Sequence, residues 1–307
     1  MSLETDLLLD RRRLKRRLLF WRSFAVLAVV AAVLVAMRGE GVPFGRAHIA
    51  RLTVSGIITD DRKLVEAVSK LADNDSVKAL IVTIDSPGGS VAGGEALHDA
   101  IARVAQKKPV VAVMGGTAAS AGYMVAVPAA RIFAREGTLT GSIGVLLETG
   151  EVSGLLKTLG IDAEAITSGP LKDQPSLIRP LTPEGRDVLH GLVMDMYDQF
   201  VGMVASGRHM DAAKVRELAD GRAYTGRQAL RNGLIDAIGG ETDARTWLAQ
   251  TKGVSADLPV DDVPTTGLAS RALSSSLGWM LNSIWKSLFS QGVILDGAWA
   301  IWQRSGG

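Results

Sequence analysis

Val77–Val91 reads VKALIVTIDSPGGSV, and the fold class follows from how this stretch changes character halfway. VKALIVTI is a continuous apolar run, the pattern of a strand buried on both faces. DSPGG then breaks it: Pro87 stiffens the turn, and Gly88 and Gly89 let the backbone approach a neighbour closely. A helix over Ser90–Val104 follows. The same alternation extends to either side. HIARLTVSGII (48–58) is a strand, and Asp60–Ala72 has helical spacing at Leu64, Val65, Val68 and Leu71. Downstream come PVVAVM (109–114), a Gly-Gly turn, a short helix from Ser120, and RIFARE (131–136). Buried strands separated by 10- to 15-residue helices give an α/β architecture with parallel strands covered on both faces. Residues 46–253 are expected to form one domain.

Further along, VSGLLKTLG (152–160) reads as a helix, AEAITS (163–168) as a strand, and SGPLKDQPSLIRPL (168–181) as a loop. Thr182 followed by Pro183 opens a long helix reaching about Ser206. Thr225 and Gln228 form a capping box for a short helix that Gly233 ends, before the strand LIDAI (234–238).

The whole chain has 307 residues, 47% hydrophobic and 21% charged. That composition excludes a disordered protein and a polytopic membrane channel. With no cysteine, disulfide scaffolds, thiolate catalysis and Cys-based zinc sites are excluded too. The net charge of +2 conceals an asymmetry: residues 1–22 carry seven basic and three acidic side chains, leaving the remainder at −2. A nucleic-acid-binding body has little support. After this basic segment, SFAVLAVVAAVLVAM (23–37) is free of charge, and about 18–37 is long enough to cross a bilayer once. RGEGVPFGR (38–46) offers no convincing small-x-small cleavage site, so an uncleaved anchor is expected. The basic flank puts the N-terminus in the cytoplasm and the body outside it. Residues 254–307 read as a linker and a Trp-rich amphipathic tail suited to the membrane interface or a neighbouring subunit.

Three segments carry the chemistry, the first two just past carboxyl ends of strands, where α/β sheets bind ligands. Asp85–Val91 offers glycine amides at a helix start, able to hold a developing oxyanion. In Gly115–Ala126, GGTAASAGYMVA, small residues surround Ser120 and leave its hydroxyl uncovered at a strand-to-helix turn. The Ala121 amide is a second oxyanion donor there; the plain alternative makes Ser120 an N-cap. A serine nucleophile needs a base. The four histidines (His48, His98, His190, His209) are scattered, and only His98, two turns after Gly89, competes. Lys172, in TSGPLKDQPS, serves if desolvation keeps its amine neutral. The adjacent Asp173 would oppose that unless its carboxylate points away. No metal or nucleotide motif is present, with neither HExxH nor GxxxxGK[ST].

DSPGGSV, TAASAGYMVA, LTGSIGV, SGPLKD and AYTGRQALRNGLIDAIGG, in this order and spacing over about 50–250, resemble the SppA family of bacterial signal peptide peptidases. The resemblance implies a Clp protease/crotonase-like spiral of ββα units behind one N-terminal transmembrane helix, and a membrane-anchored serine endopeptidase acting on small apolar peptides such as cleaved signal peptides. It implies Ser120 as nucleophile, Lys172 as general base, Ser142 as the residue orienting the lysine amine, and Gly89 (rather than Gly88) with Ala121 as oxyanion amides. No cofactor or metal is implied. Protomers would assemble into a homo-oligomeric ring on the extracytoplasmic side of the bacterial cell membrane, with serine and lysine able to meet across a subunit interface. Asp85, where many relatives carry Asn, departs from the pattern, as does the proline-rich stretch after Lys172. Two other readings share some features: a crotonase-type acyl-CoA enzyme, for which Glu95 is the nearby acid, and a non-catalytic membrane scaffold.

Overall fold

In the computed structural model the residues described are 46–264, together with Trp21. The expected anchor and most of the Trp-rich tail lie outside them, and among the described residues no helix is long and apolar enough to cross a membrane. The elements run β1 (His48–Ile58), α1 (Arg62–Leu71), β2 (Val77–Gly89), α2 (Val91–Ala105), β3 (Val110–Ala119), α3 (Ala121–Ala126), β4 (Arg131–Ala134), β5 (Leu139–Gly141), α4 (Ser153–Thr158), α5 (Pro183–Arg208), α6 (Ala212–Leu218), β6 (Ala223–Thr225), α7 (Gly226–Arg231), β7 (Ala237–Ile238), α8 (Glu241–Lys252) and β8 (Val260–Asp262).

One sheet in the order β6-β5-β3-β2-β1-β8, with β4 branching from β3 and β7 pairing with β4, holds all the strands. Its pairings are parallel except β5 with β6. Because side chains alternate along a strand, the apolar run of β2 feeds two cores. Leu80, Val82 and Ile84 enter the larger one with Leu97 and Ile101 of α2 and Phe200 of α5. Ala79 and Ile81 enter a smaller one on the opposite face, roofed by Ala244 and Leu248 of α8. Each fully buried aliphatic side chain contributes about 1.5–3 kcal/mol, so the continuous run is what commits this segment to the centre of the sheet.

The sheet divides where β3 changes partners. Val111–Met114 pair with β4, whereas Thr117–Ala119 pair with β5, and the β2–β3 register slips between Ile84 and Ser86. Side chains occupy the gap in the ladder: Asp85 Oδ1 accepts from the Thr117 amide at 3.0 Å, and Thr138 Oγ1 donates to the Gly115 carbonyl at 2.7 Å. Buried backbone groups need such partners wherever regular pairing lapses. The break falls within the ends of β2 and β3, which are parts of the first two segments singled out for chemistry.

Caps formed as the sequence indicated. Thr182 Oγ1 accepts from the Gly185 amide with Pro183 at the helix start, and Thr225 and Gln228 complete a reciprocal capping box. DSPGG and Gly115–Gly116, read as turns, belong to β2 and β3, because β1 and β5 lie beside them and extend the ladder. Three further expectations fail. AEAITS (163–168) is not a strand but irregular chain; its Ile166 is 96% exposed, and without a neighbouring edge no ladder forms. LIDAI shrinks to the two residues of β7, because Leu234 and Ile235 are buried in the turn before it. The sheet also runs past Gly253: β8 takes up VDD from the stretch read as linker and pairs with Ile49–Arg51.

Late residues clamp the short helix that follows β3. Tyr123, fully buried, donates its hydroxyl to the Leu234 carbonyl at 2.7 Å, and burial pushes its ionisation well above the usual tyrosine range. Arg208 pairs bidentately with Asp236, which also accepts the Ile132 amide. Tyr123→Phe orphans the Leu234 carbonyl, so a loss of about 1–3 kcal/mol is expected in denaturant unfolding.

Candidate active site

Ser120 joins β3 to α3 with φ 54° and ψ −123°, a left-handed backbone that non-glycine residues rarely adopt. Hydrogen bonds on both sides enforce it. The Ser120 amide donates to the Gly141 carbonyl at 2.9 Å, and its own carbonyl accepts from the Tyr123 and Met124 amides at 2.8 and 3.1 Å. The consequence is chemical: its side chain caps no helix amide. The N-cap alternative is thereby excluded, and the hydroxyl is left at the wall of a cavity of about 420 Å³. A sharp, strained strand-to-helix turn is an effective way to present a serine Oγ.

Three of the five expected site residues come together here. Ser120, Ser142 and Gly89 line the same cavity, whose apolar walls include Val91, Val145 and Leu146. Ser142 is also left-handed, at φ 48°, its amide donating to the Arg222 carbonyl at 3.0 Å. Among the described residues only three non-glycines have positive φ, and the third, His209, ends α5. Two of three at one cavity is the clustering of strain expected of functional sites. Ala121, the first residue of α3, is buried directly behind Ser120.

The geometry also separates the two glycines. The Gly88 amide donates to Ser86 Oγ at 3.1 Å, so it is occupied, while Gly89 faces the cavity. Ser86, fully buried and also donating to the Gly56 carbonyl at 2.6 Å, braces this turn; nothing in the sequence distinguished it from an ordinary turn serine. Gly88 is required for another reason. Its φ is +121°, and a Cβ there would sit 2.8 Å from Ser120 Cβ and 3.2 Å from Ser120 Oγ. Gly88→Ala is therefore expected to displace the serine and cut turnover on the order of 10²-fold, measured as kcat on a peptide substrate.

Lys172 stands apart. It is exposed, on a turn where its amide donates to the Gly169 carbonyl at 3.1 Å, and it does not line the Ser120 cavity. Its neighbour behaves as chemistry requires: Asp173 Oδ2 accepts from Arg179 Nε at 3.0 Å and from Nη2. Arg179, with help from the Ser176 hydroxyl, holds the Asp173 carboxyl below the usual carboxylate range. Asp85 likewise turns its carboxylate to the Thr117 amide. His98 is excluded as a base for Ser120: its Nδ1 lies 2.9 Å from Asp99 Oδ1, and it lines a different cavity between α2 and α5. Among the described residues no group of His, Cys, Asp and Glu side chains forms a candidate metal site.

Comparison with known proteins shows the family and the fold. The model of Peptidase family S49 matches residues 102–255, and that of Clp protease matches residues 51–139, which identifies the α/β fold as Clp protease-like. A Synechocystis sp. protein to which protease activity is ascribed is 42% identical over 213 residues, covering 69% of this chain and 77% of its own. An Enterococcus faecium protein ascribed to signal peptide peptidase SppA is 36% identical over 245 residues, covering 75% and 71%. The chloroplastic serine protease SPPA of Arabidopsis thaliana is 34% identical over 244 residues; the match takes in 79% of this chain but 35% of that one. With the S49 model over half the chain and a relative of such similarity over most of both lengths, the chain belongs to Peptidase family S49.

Proposed function

We propose that the protein is a membrane-anchored serine endopeptidase in which Ser120 is the nucleophile and Lys172 the general base. The observation that carries this reading is Ser120 itself: a strained residue whose hydroxyl caps nothing and lies at the wall of a cavity beside Gly89 and Ser142. A neutral Lys172 amine takes the Ser120 proton as Oγ attacks the peptide carbonyl. The Gly89 and Ala121 amides hold the tetrahedral oxyanion. The lysine ammonium then protonates the departing amine as the C–N bond breaks, and water, activated by the same amine, hydrolyses the acyl-enzyme. Ser142 orients the amine.

The separation of Lys172 from the cavity favours a dyad formed between protomers. The segment 146–177 that carries it exposes Leu146, Leu155, Leu159, Ile166 and Leu177, apolar side chains available to a second copy. Covering it with a second copy would bring Lys172 of one protomer toward Ser120 of its partner. Homo-oligomerisation, a single N-terminal span and an extracytoplasmic catalytic domain belong to the same reading. A cavity walled by Val91, Val145 and Leu146 suits small apolar side chains, and cleaved signal peptides left in the bilayer supply them.

The test is a serine-directed fluorophosphonate probe on the full-length protein in detergent or membranes. Labelling should fall on the peptide containing Ser120 and vanish in Ser120→Ala. An unlabelled wild type would leave a scaffold rather than an enzyme.

A further inference from the structure

β1 and β2 fall out of step beside Ser120. Ser55 pairs with Asp85 and Ile57 with Gly88, so Gly56, at φ 70°, stands opposite both Ser86 and Pro87. An irregularity of this kind leaves ladder groups without backbone partners, and Pro87 has no N–H to offer. The Ser86 hydroxyl supplies what the ladder lacks. It donates to the Gly56 carbonyl at 2.6 Å and accepts from the Gly88 amide at 3.1 Å, with the Gly88 carbonyl farther off at 3.3 Å. The residue is fully buried, so both bonds are made away from bulk water. Ser86 also touches the other half of the site. A Cβ at Gly122 would lie 3.0 Å from the Ser86 carbonyl oxygen and 3.4 Å from its Cβ, so the first turn of α3, which carries Ala121, packs directly on it. Gly88 in turn abuts the serine, since a Cβ there would come within 3.2 Å of Ser120 Oγ. The amide of Ser90 donates back to β1, to the Ile58 carbonyl at 2.9 Å. Amides alternate in direction along an extended strand, which turns that of Gly89 to the opposite edge, toward the cavity it lines.

We infer that Ser86 is a positioning residue for catalysis: by binding the Gly88 amide and tying it to Gly56, it fixes the turn so that the Gly89 amide is the donor presented beside Ser120. This rests on the Ser120 reading above. Steady-state peptide hydrolysis by the full-length protein in detergent, expressed per serine titrated to completion with the fluorophosphonate probe, tests it. Ser86→Ala should lower kcat per titrated serine by about 10- to 10²-fold, because the donor is displaced where charge develops in the transition state. KM should change by less than about threefold, since the groups that hold the peptide before reaction are untouched. Inhibition by a peptide aldehyde, whose tetrahedral adduct with Ser120 places its oxygen at the same donors, should weaken by a similar factor.

A brace with no part in catalysis gives a different result: fewer titratable serines and a lower thermal midpoint, with kcat per serine and aldehyde inhibition unchanged. That outcome would overturn the inference. Should Ser86→Ala fail to fold, Ser86→Cys fills the space with a weaker donor and acceptor and should show the same split in smaller measure; wild-type kcat per serine in the cysteine variant would overturn it equally. Ser120→Ala, assayed alongside, separates the two levels. Hydrolysis that survives in Ser120→Ala removes the nucleophile assignment itself, whereas an inactive Ser120→Ala with unchanged kcat per serine in Ser86→Ala removes the role of Ser86 alone.

Discussion

Ser120→Ala is expected to lower peptide hydrolysis by roughly 10⁴- to 10⁶-fold, the range seen when an essential nucleophile is removed, while leaving the thermal midpoint nearly unchanged. The second half of this expectation is as diagnostic as the first. A serine acting as an N-cap loses about 1 kcal/mol on replacement by alanine, but the Ser120 hydroxyl satisfies no helix amide. Alanine accepts a left-handed backbone about as poorly as serine does, so the strain at φ 54° is carried over rather than relieved. The amide bond to Gly141 and the carbonyl's bonds to Tyr123 and Met124 involve only backbone and persist in the variant. Activity and stability should therefore separate. A variant that lost both together would mark Ser120 as structural, and one that kept hydrolysing would move the nucleophile elsewhere. Residual turnover above the uncatalysed rate, from oxyanion donors and binding alone, is compatible with the assignment.

The central architecture was legible because its signals are local. A continuous apolar run allows little other than a buried strand. β1 falls where alternation placed it, and β2 and β3 begin at their apolar runs but continue through DSPGG and GGTAA, which read as turns. The uncovered hydroxyl of Ser120 was equally readable from the small residues on either side. What escaped notice depends on partners distant in sequence. β5, β6 and β8, three residues each, are strands only because Ala119, Gly141 and Arg51 lie beside them. AEAITS has an acceptable strand composition and lacks such an edge. Ser86 looks like any turn serine until the Gly56 carbonyl and the Gly88 amide are seen around it. The direction of the Asp173 carboxylate followed from what a neutral lysine needs, yet the identity of its partner, Arg179, emerged only from the folded loop.

Lys172→Met should be as inactive in hydrolysis as Ser120→Ala, since an uncharged isostere of similar length cannot accept the serine proton. The two dead variants then answer a question that neither answers alone. If serine and lysine meet between protomers, mixing Ser120→Ala and Lys172→Met chains before assembly creates interfaces in which one protomer supplies an intact Ser120 and its partner an intact Lys172. Random assembly in a head-to-tail ring makes about a quarter of the interfaces competent, so the mixture should recover on the order of a quarter of wild-type activity. Mixing after assembly should recover none until subunits exchange. A dyad closed within each chain gives the opposite result, because every chain in the mixture lacks one of its own two groups and activity stays at the level of the separate variants. The cavity beside Ser120 and the exposed position of Lys172 favour recovery. A mixture that remains inactive despite demonstrated co-assembly would require the 146–177 segment to fold back toward Ser120 of its own chain instead.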